Sequence, residues 1–136
     1  HPEDHVKGKY KVGDLDSPLY GMPVREMFDR VLEAPGCAFL QVGDGPKTDE
    51  DLEGIAAFTK WVRAKHPRLI TFSFLSLTKI DHDRYIKTTR TDVFCFYKYP
   101  LALDYEAPEL LAELKLARDS ARRHSLPFWM YVQAWA

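Results

Sequence analysis

Cysteine is scarce in this chain of 136 residues, which has only Cys37 and Cys95. Two thiols build neither a disulfide framework nor a four-ligand zinc site. Both fall inside apolar runs, where a free cysteine behaves as a small hydrophobe. An excess of charge of one sign is lacking too. With 19 basic and 20 acidic side chains the formal net charge is -1, which gives no footprint for nucleic acid or another polyanion. No apolar stretch approaches the roughly 18 residues of a spanning helix, so a membrane is not an expected partner. Glycine-rich phosphate loops, paired Cys/His metal spacings and serine-centred nucleophile elbows are missing, and no cofactor or metal is expected. The chain opens on His1 and shows no charged-then-apolar leader, so the compartment is left unassigned.

What is present is an order of elements. The hydrophobic fraction of 46% is enough for a real core. Four short apolar runs, Cys37–Val42, Leu69–Leu75, Asp92–Tyr97 and Pro127–Val132, alternate with three helical patterns. Strands buried on both faces read as near-continuous apolar runs of this kind. Residues 1–22 form a polar arm punctuated by Gly8, Gly13, Pro18 and Gly21, with one short strand expected at Tyr10–Val12. Residues 23–136 form the single domain. A leading helix starts at Pro23, with Val24, Met27, Phe28 and Val31 as its buried stripe. Thr48 or Asp49 caps the next helix, which buries Leu52, Ile55, Ala56, Phe58 and Val62. A shorter helix, Asp81 to about Arg90, is anchored by Tyr85 and Ile86. The last opens at Pro108 and packs Leu110, Leu111, Leu114, Ala117 and Ala121 on one face. The fold class is α/β, a helix followed by β-α-β-α-β-α-β, with right-handed crossovers between parallel strands.

Taken in order, the segments VGDGP, KHPRLITFSFLS, DRYIKTTRTDVFCFYKYPL and LARDSARRHSLPFWMYVQAWA resemble the later half of a (β/α)8-barrel glycoside hydrolase. The resemblance is to β-galactosidase-like barrels and to glycosidase-like barrels of uncharacterised activity, and it spans roughly residues 35–136. In those barrels a Gly-Asp-Glu-Pro turn ends the fourth strand and an aromatic turn ends the sixth. The seventh strand often reads proline, aromatic, aliphatic, glutamine. The resemblance implies half of a TIM (β/α)8 barrel with a carbohydrate-handling surface at the strand C-terminal ends. Two positions depart from it. Gly45 stands where the family places the acid of its turn, and Tyr97 stands where an Asp often precedes the aromatic turn.

Chemistry in such folds sits where strands end. Glycosidic hydrolysis needs two carboxyl groups flanking the scissile bond. Asp44 is the one carboxylate directly at a predicted strand end. The resemblance gives it a supporting or substrate-contacting role, whereas its place between glycines equally suits a turn residue bonded to its own backbone. Catalysis by an intact acid pair is therefore not expected. Tyr97, Tyr99 and Trp135 are candidate stacking platforms, because an aromatic ring offers a flat apolar face with a polar edge. Trp129 and Tyr131 are assigned to packing. Lys98 suits an anionic group or a catalytic amine. Gln133 suits a substrate hydroxyl or the backbone near it. Asp81, His82 and Asp83 are neighbours on a helix and point to different faces, so they read as a solvated helix start and not as a metal cluster.

Four strands cannot close a barrel, and each outer strand would present unpaired backbone groups. Phe72, Phe74, Phe94 and Phe96 would also be partly open on one side. Three arrangements answer this: an edge-paired homo-oligomer, which is the preferred expectation, a missing barrel half, or an open sheet covered by helices on both faces. Three functions go with them. The first is a glycosidase-like half barrel with a carbohydrate ligand and no intact acid pair. The second is a non-catalytic assembly or small-ligand module. The third is a doubly wound domain holding a small anion at helix N-termini.

Overall fold

The computed structural model describes residues 14–16, 18–19, 22–75, 80–97 and 107–131. A two-residue hairpin, β1 (Pro18–Leu19) and β2 (Met22–Pro23), leads into α1 (Val24–Leu32). Then follow β3 (Phe39–Asp44), α2 (Asp49–Lys65), β4 (Ile70–Leu75), α3 (His82–Thr89), β5 (Val93–Tyr97), α4 (Ala107–Arg123) and β6 (Phe128–Tyr131). The strand expected at Tyr10–Val12 lies outside the described residues.

The helices begin and end where local chemistry dictates. Thr48 and Asp51 form a reciprocal capping box at α2. Thr48 Oγ1 accepts from the Asp51 amide at 3.2 Å, and Asp51 accepts from the Thr48 amide at 3.0 Å. The Lys47 amide adds a bond of 2.8 Å, and these backbone donors, Lys47 first, hold the Asp51 carboxyl below its ordinary range. Asp81 caps α3 by accepting from the Arg84 amide at 2.8 Å. That helix ends at Arg90 in the left-handed region (φ 52°), the conformation in which many helices stop. Pro23 serves α1 as its flanking cap and not as its first helical residue. The carbonyls at the other end of α1 are met by Arg68, which donates to Ala34 at 3.0 Å and to Cys37 at 2.6 Å. That guanidinium ties α1 to the turn before β4.

Strands β3 to β6 form one four-stranded sheet in consecutive order, and every neighbouring pair is parallel. This excludes the doubly wound arrangement, which needs a point where strand order reverses. When every right-handed crossover advances in one direction, all helices fall on one face of the sheet. The two core clusters confirm this placement. Val42 of β3 packs with Leu32, Ile55, Phe58 and Val62 of α1 and α2. Leu75, Phe94 and Phe96 pack with Leu52, Tyr85, Ile86, Ala117 and Ala121 of α2, α3 and α4. Phe94 and Phe96 are thus fully buried beneath helices and not open as expected. The open face belongs to Phe39, Gln41, Ile70, Phe72, Phe74, Tyr97, Trp129 and Tyr131, which alternate with the buried set.

Rings from the two outer strands meet across this open face. Phe39 of β3 and Trp129 of β6 lie 5.3 Å apart between centroids, and Phe72 lies 5.7 Å from Trp129. Strands spaced ~4.8 Å apart would hold β3 and β6 about 14 Å from each other in a flat sheet. The contact therefore marks a concave face, consistent with half of a barrel.

Two polar groups lock the buried side. Tyr85, with its hydroxyl in the core, donates to the Ser73 carbonyl at 3.0 Å and also meets the Ser73 hydroxyl. Burial pushes that phenol upward in pKa. Asp92 opens β5 and accepts from the Thr71 amide (2.8 Å), the Thr71 hydroxyl (2.6 Å) and Arg63 (2.6 Å). Burial alone would raise its pKa, but the bonds from Thr71 and Arg63 outweigh that and lower it. One carboxylate thereby joins β4, β5 and α2.

Several expected details shift. The first strand of the sheet starts two residues later than Cys37 and runs through Gly43 and Asp44. The ladder with β4 slips between Gln41 and Gly43, then resumes as Gly43 opposite Ser73 and Asp44 opposite Phe74. Such a bulge carries one strand an extra residue past its partner. Cys37 precedes the strand and is half-buried, while Cys95 is buried and its thiol is pushed up to about 11 by desolvation. In α1 Val24 is buried as expected, but Leu32 is the second inner residue and Val31 is 56% exposed. In α4 Leu111 is 62% exposed. Ala56 is only half-buried, and Thr59 takes an inner place by donating to the Ile55 carbonyl at 2.8 Å.

Two measurements check this packing. A Cβ at Gly43 would stand 2.5 Å from Ile55 Cγ1, because α2 presses on β3 there. Gly43→Ala is expected to lower unfolding stability by about 1–3 kcal/mol in a urea titration. The second concerns His82, whose ring packs on Phe94 at 5.5 Å and bonds the Leu116 backbone. Burial lowers its pKa below the ordinary 6.5 despite the charges of Asp81 and Asp83. The folded state thus favours the neutral ring. Its contribution is complete above pH ~6.5 and is lost as pH falls through the depressed value. His82→Gln should flatten the decline in stability between about pH 7 and pH 5 relative to the parent chain.

Candidate functional site

Because β3 to β6 are parallel, their C-terminal ends gather on one rim. Asp44 ends β3, Tyr97 ends β5 and Tyr131 ends the described part of β6. The crossovers on one face leave these side chains opening into the concavity. A cavity of about 570 Å³ lies there, lined by Gln41, Asp44, Phe72, Phe74, Tyr97 and Tyr131. That volume falls within the range of small-molecule sites.

Each group is held for an identifiable reason. The bulge in β3 brings Gln41 and Asp44 into the same cavity despite their odd spacing. The Gln41 amide donates to the Gly43 carbonyl at 3.3 Å across that bulge. Phe74 is the hub of the rings: its centroid lies 5.7 Å from Tyr97 and 5.4 Å from Tyr131, both nearly perpendicular to it. Edge-to-face contacts of this kind fix ring orientation. Tyr97 also approaches the turn after β3. The Gly45 amide donates to the Phe74 carbonyl at 2.9 Å, and Gly45 has φ 52°. A Cβ at position 45 would lie 3.3 Å from Tyr97 Oη.

The arrangement can surround a small polar molecule with rings while a carboxylate, an amide and two phenols supply hydrogen bonds. Asp44 is the only carboxylate among the described residues that line the cavity. Nor do the described residues hold a group of three His, Cys, Asp or Glu side chains able to bind a metal. Asp81, His82 and Asp83 diverge: a cap, a packed ring, and a partner of Arg123 at 2.8 Å.

Of the residues expected from the sequence, Asp44 and Tyr97 come together. Lys98, Tyr99, Gln133 and Trp135 lie outside the described residues, as do Ser76 and Thr78. Tyr131 was assigned to packing, yet it lines the cavity. Its two-residue offset from Trp129 on β6 puts both on the open face, a signal that strand alternation carries once the face is known. Gln41 was missed because it sits inside an apolar run. Compared with known proteins, the chain matches no family model, no curated protein and no solved structure.

Gly45→Ala tests the rim. Forcing a side chain into the left-handed region beside Tyr97 should cost about 1 kcal/mol of stability, read as a lower urea midpoint. Gly45→Glu should be at least as costly and should not create hydrolysis of nitrophenyl glycosides. Glycoside turnover by a well-folded Gly45→Glu chain would contradict this account of the turn.

Proposed function

We propose that this chain is a glycoside hydrolase-like half barrel that binds a carbohydrate at the C-terminal ends of its strands, without two-carboxylate catalysis. The observation that carries the proposal is the cavity itself: Phe74, Tyr97 and Tyr131 surround a space that also receives Asp44 and Gln41. Sugars present flat C–H faces and a ring of hydroxyls. Aromatic faces suit the former, and a carboxylate with an amide suits the latter. The resemblance of the VGDGP turn and of the aromatic strand ends to glycosidase barrels points the same way. Retaining and inverting hydrolysis both require a second carboxyl group at a defined separation from the first, and among the described residues Asp44 has no such companion in the cavity. Asp44 therefore acts as a hydrogen-bond acceptor for a hydroxyl.

Closure of the open sheet accompanies this function, either by a second copy of the chain pairing edge to edge or by a separate barrel half. The bare concave face favours a part in assembly as well as binding. No helix among the described residues is long and apolar enough to cross a membrane.

Titration with neutral mono- and oligosaccharides, followed by chemical shifts of Gln41, Asp44 and Tyr97, tests the proposal. Tyr97→Ala and Asp44→Ala should each weaken binding by roughly tenfold, about 1.4 kcal/mol. Failure of every saccharide to move these resonances at millimolar concentration would sink it, as would binding that ignores both substitutions.

A further inference from the structure

All the large apolar side chains left exposed among the described residues lie on two kinds of surface. Phe39, Ile70, Trp129 and Tyr131 are on the open sheet face, while Val31, Leu111 and Leu116 are on α1 and α4, the outermost helices of the covering layer. A partner that extended both the sheet and the helix layer at their edges would cover both kinds.

The inner face also limits what that partner can be. Six rings project from it: Phe39, Phe72, Phe74, Tyr97, Trp129 and Tyr131. Phe39 and Trp129 already meet across the concavity, so this half fills its own hollow at that level. A closed eight-stranded barrel holds about twelve interior side chains in three layers of four, mostly branched aliphatics. Two copies of this chain would each bring a Phe39–Trp129 pair to that level. Overfilled cores force strained rotamers and backbone shifts.

We infer that the open face is built to close against a partner of parallel βα units whose inward side chains are small, such as Gly, Ala, Ser or Val, and that its own rings keep a second copy out of that place. The inference rests on the half-barrel reading and selects between the two closures named for it.

Sedimentation velocity on the chain, and on the Phe39→Ala/Trp129→Ala double variant, tests it. Simple loss of apolar surface would weaken self-association. Relief of crowding would strengthen it. The parent chain should form no discrete dimer at concentrations up to hundreds of micromolar, and the double variant should dimerise at least tenfold more tightly than the parent. A discrete parent dimer overturns the inference. So does a folded double variant, checked by circular dichroism, that associates no better than the parent. If the alanine pair unfolds, Phe39→Val/Trp129→Leu is read by the same criterion. Nuclear Overhauser contacts between the Phe39 ring and the Trp129 indole in the parent separate the two levels. Their absence removes the curled half barrel itself, and with it the inference. Their presence leaves the association data to decide the partner.

Discussion

The handedness of the strand-to-strand crossovers governs everything else in this molecule. Each crossover advances the sheet by one strand in the same direction, so α2, α3 and α4 stack on one side. The helix side becomes a dry core in which Phe94, Phe96 and Tyr85 are fully buried. The other side receives no helix from the described chain. A doubly wound sheet with the same element sequence would have buried both faces and opened its ligand crevice at a switch point. Here the inner face is concave, and Gln41, Asp44, Tyr97 and Tyr131 converge on its rim at the strand C-terminal ends.

That rim depends on a small irregularity. The slip between Gln41 and Gly43 leaves Gly43 against Ile55, where a side chain has no room, and lets Asp44 join Gln41 in the cavity. One residue later Gly45 turns left-handed beneath the Tyr97 hydroxyl. The glycines bracketing Asp44 therefore have different physical roles: the first permits close approach of a helix, the second permits a turn. The backbone at position 45 is thus shaped for a residue without Cβ.

Much of this was legible in the sequence. Thr48 with Asp51 and the Asp81 cap announce helix starts through bonds that span only three residues. The four apolar runs announce strands because each is short, carries apolar residues on both faces and is bounded by turn signals. Asp44 and Tyr97 were legible as candidate site residues because both close apolar runs. Other features were not. The runs of β4 and β5 carry phenylalanines on both faces, so composition does not say that Phe94 goes under helices while Phe72 faces the cavity. Leu111 reads as part of an apolar helix stripe, yet α4 turns it outward. Tyr131 reads as packing until the sheet acquires an inside.

What the sequence determined by itself was local and ordinal: which segments are helices, which are strands, in what order, and which residues punctuate them. Propensity, capping and hydrophobic periodicity act over a few residues, and such short-range effects need no knowledge of the rest of the chain. What only the tertiary structure decided was sidedness. Which edge meets which, where the ladder slips, which rings face one another across the concavity and which carboxylate reaches the cavity all depend on how separate segments pack. Those contacts join residues tens of positions apart, as Phe39 and Trp129 do, and no local pattern encodes the distance between them.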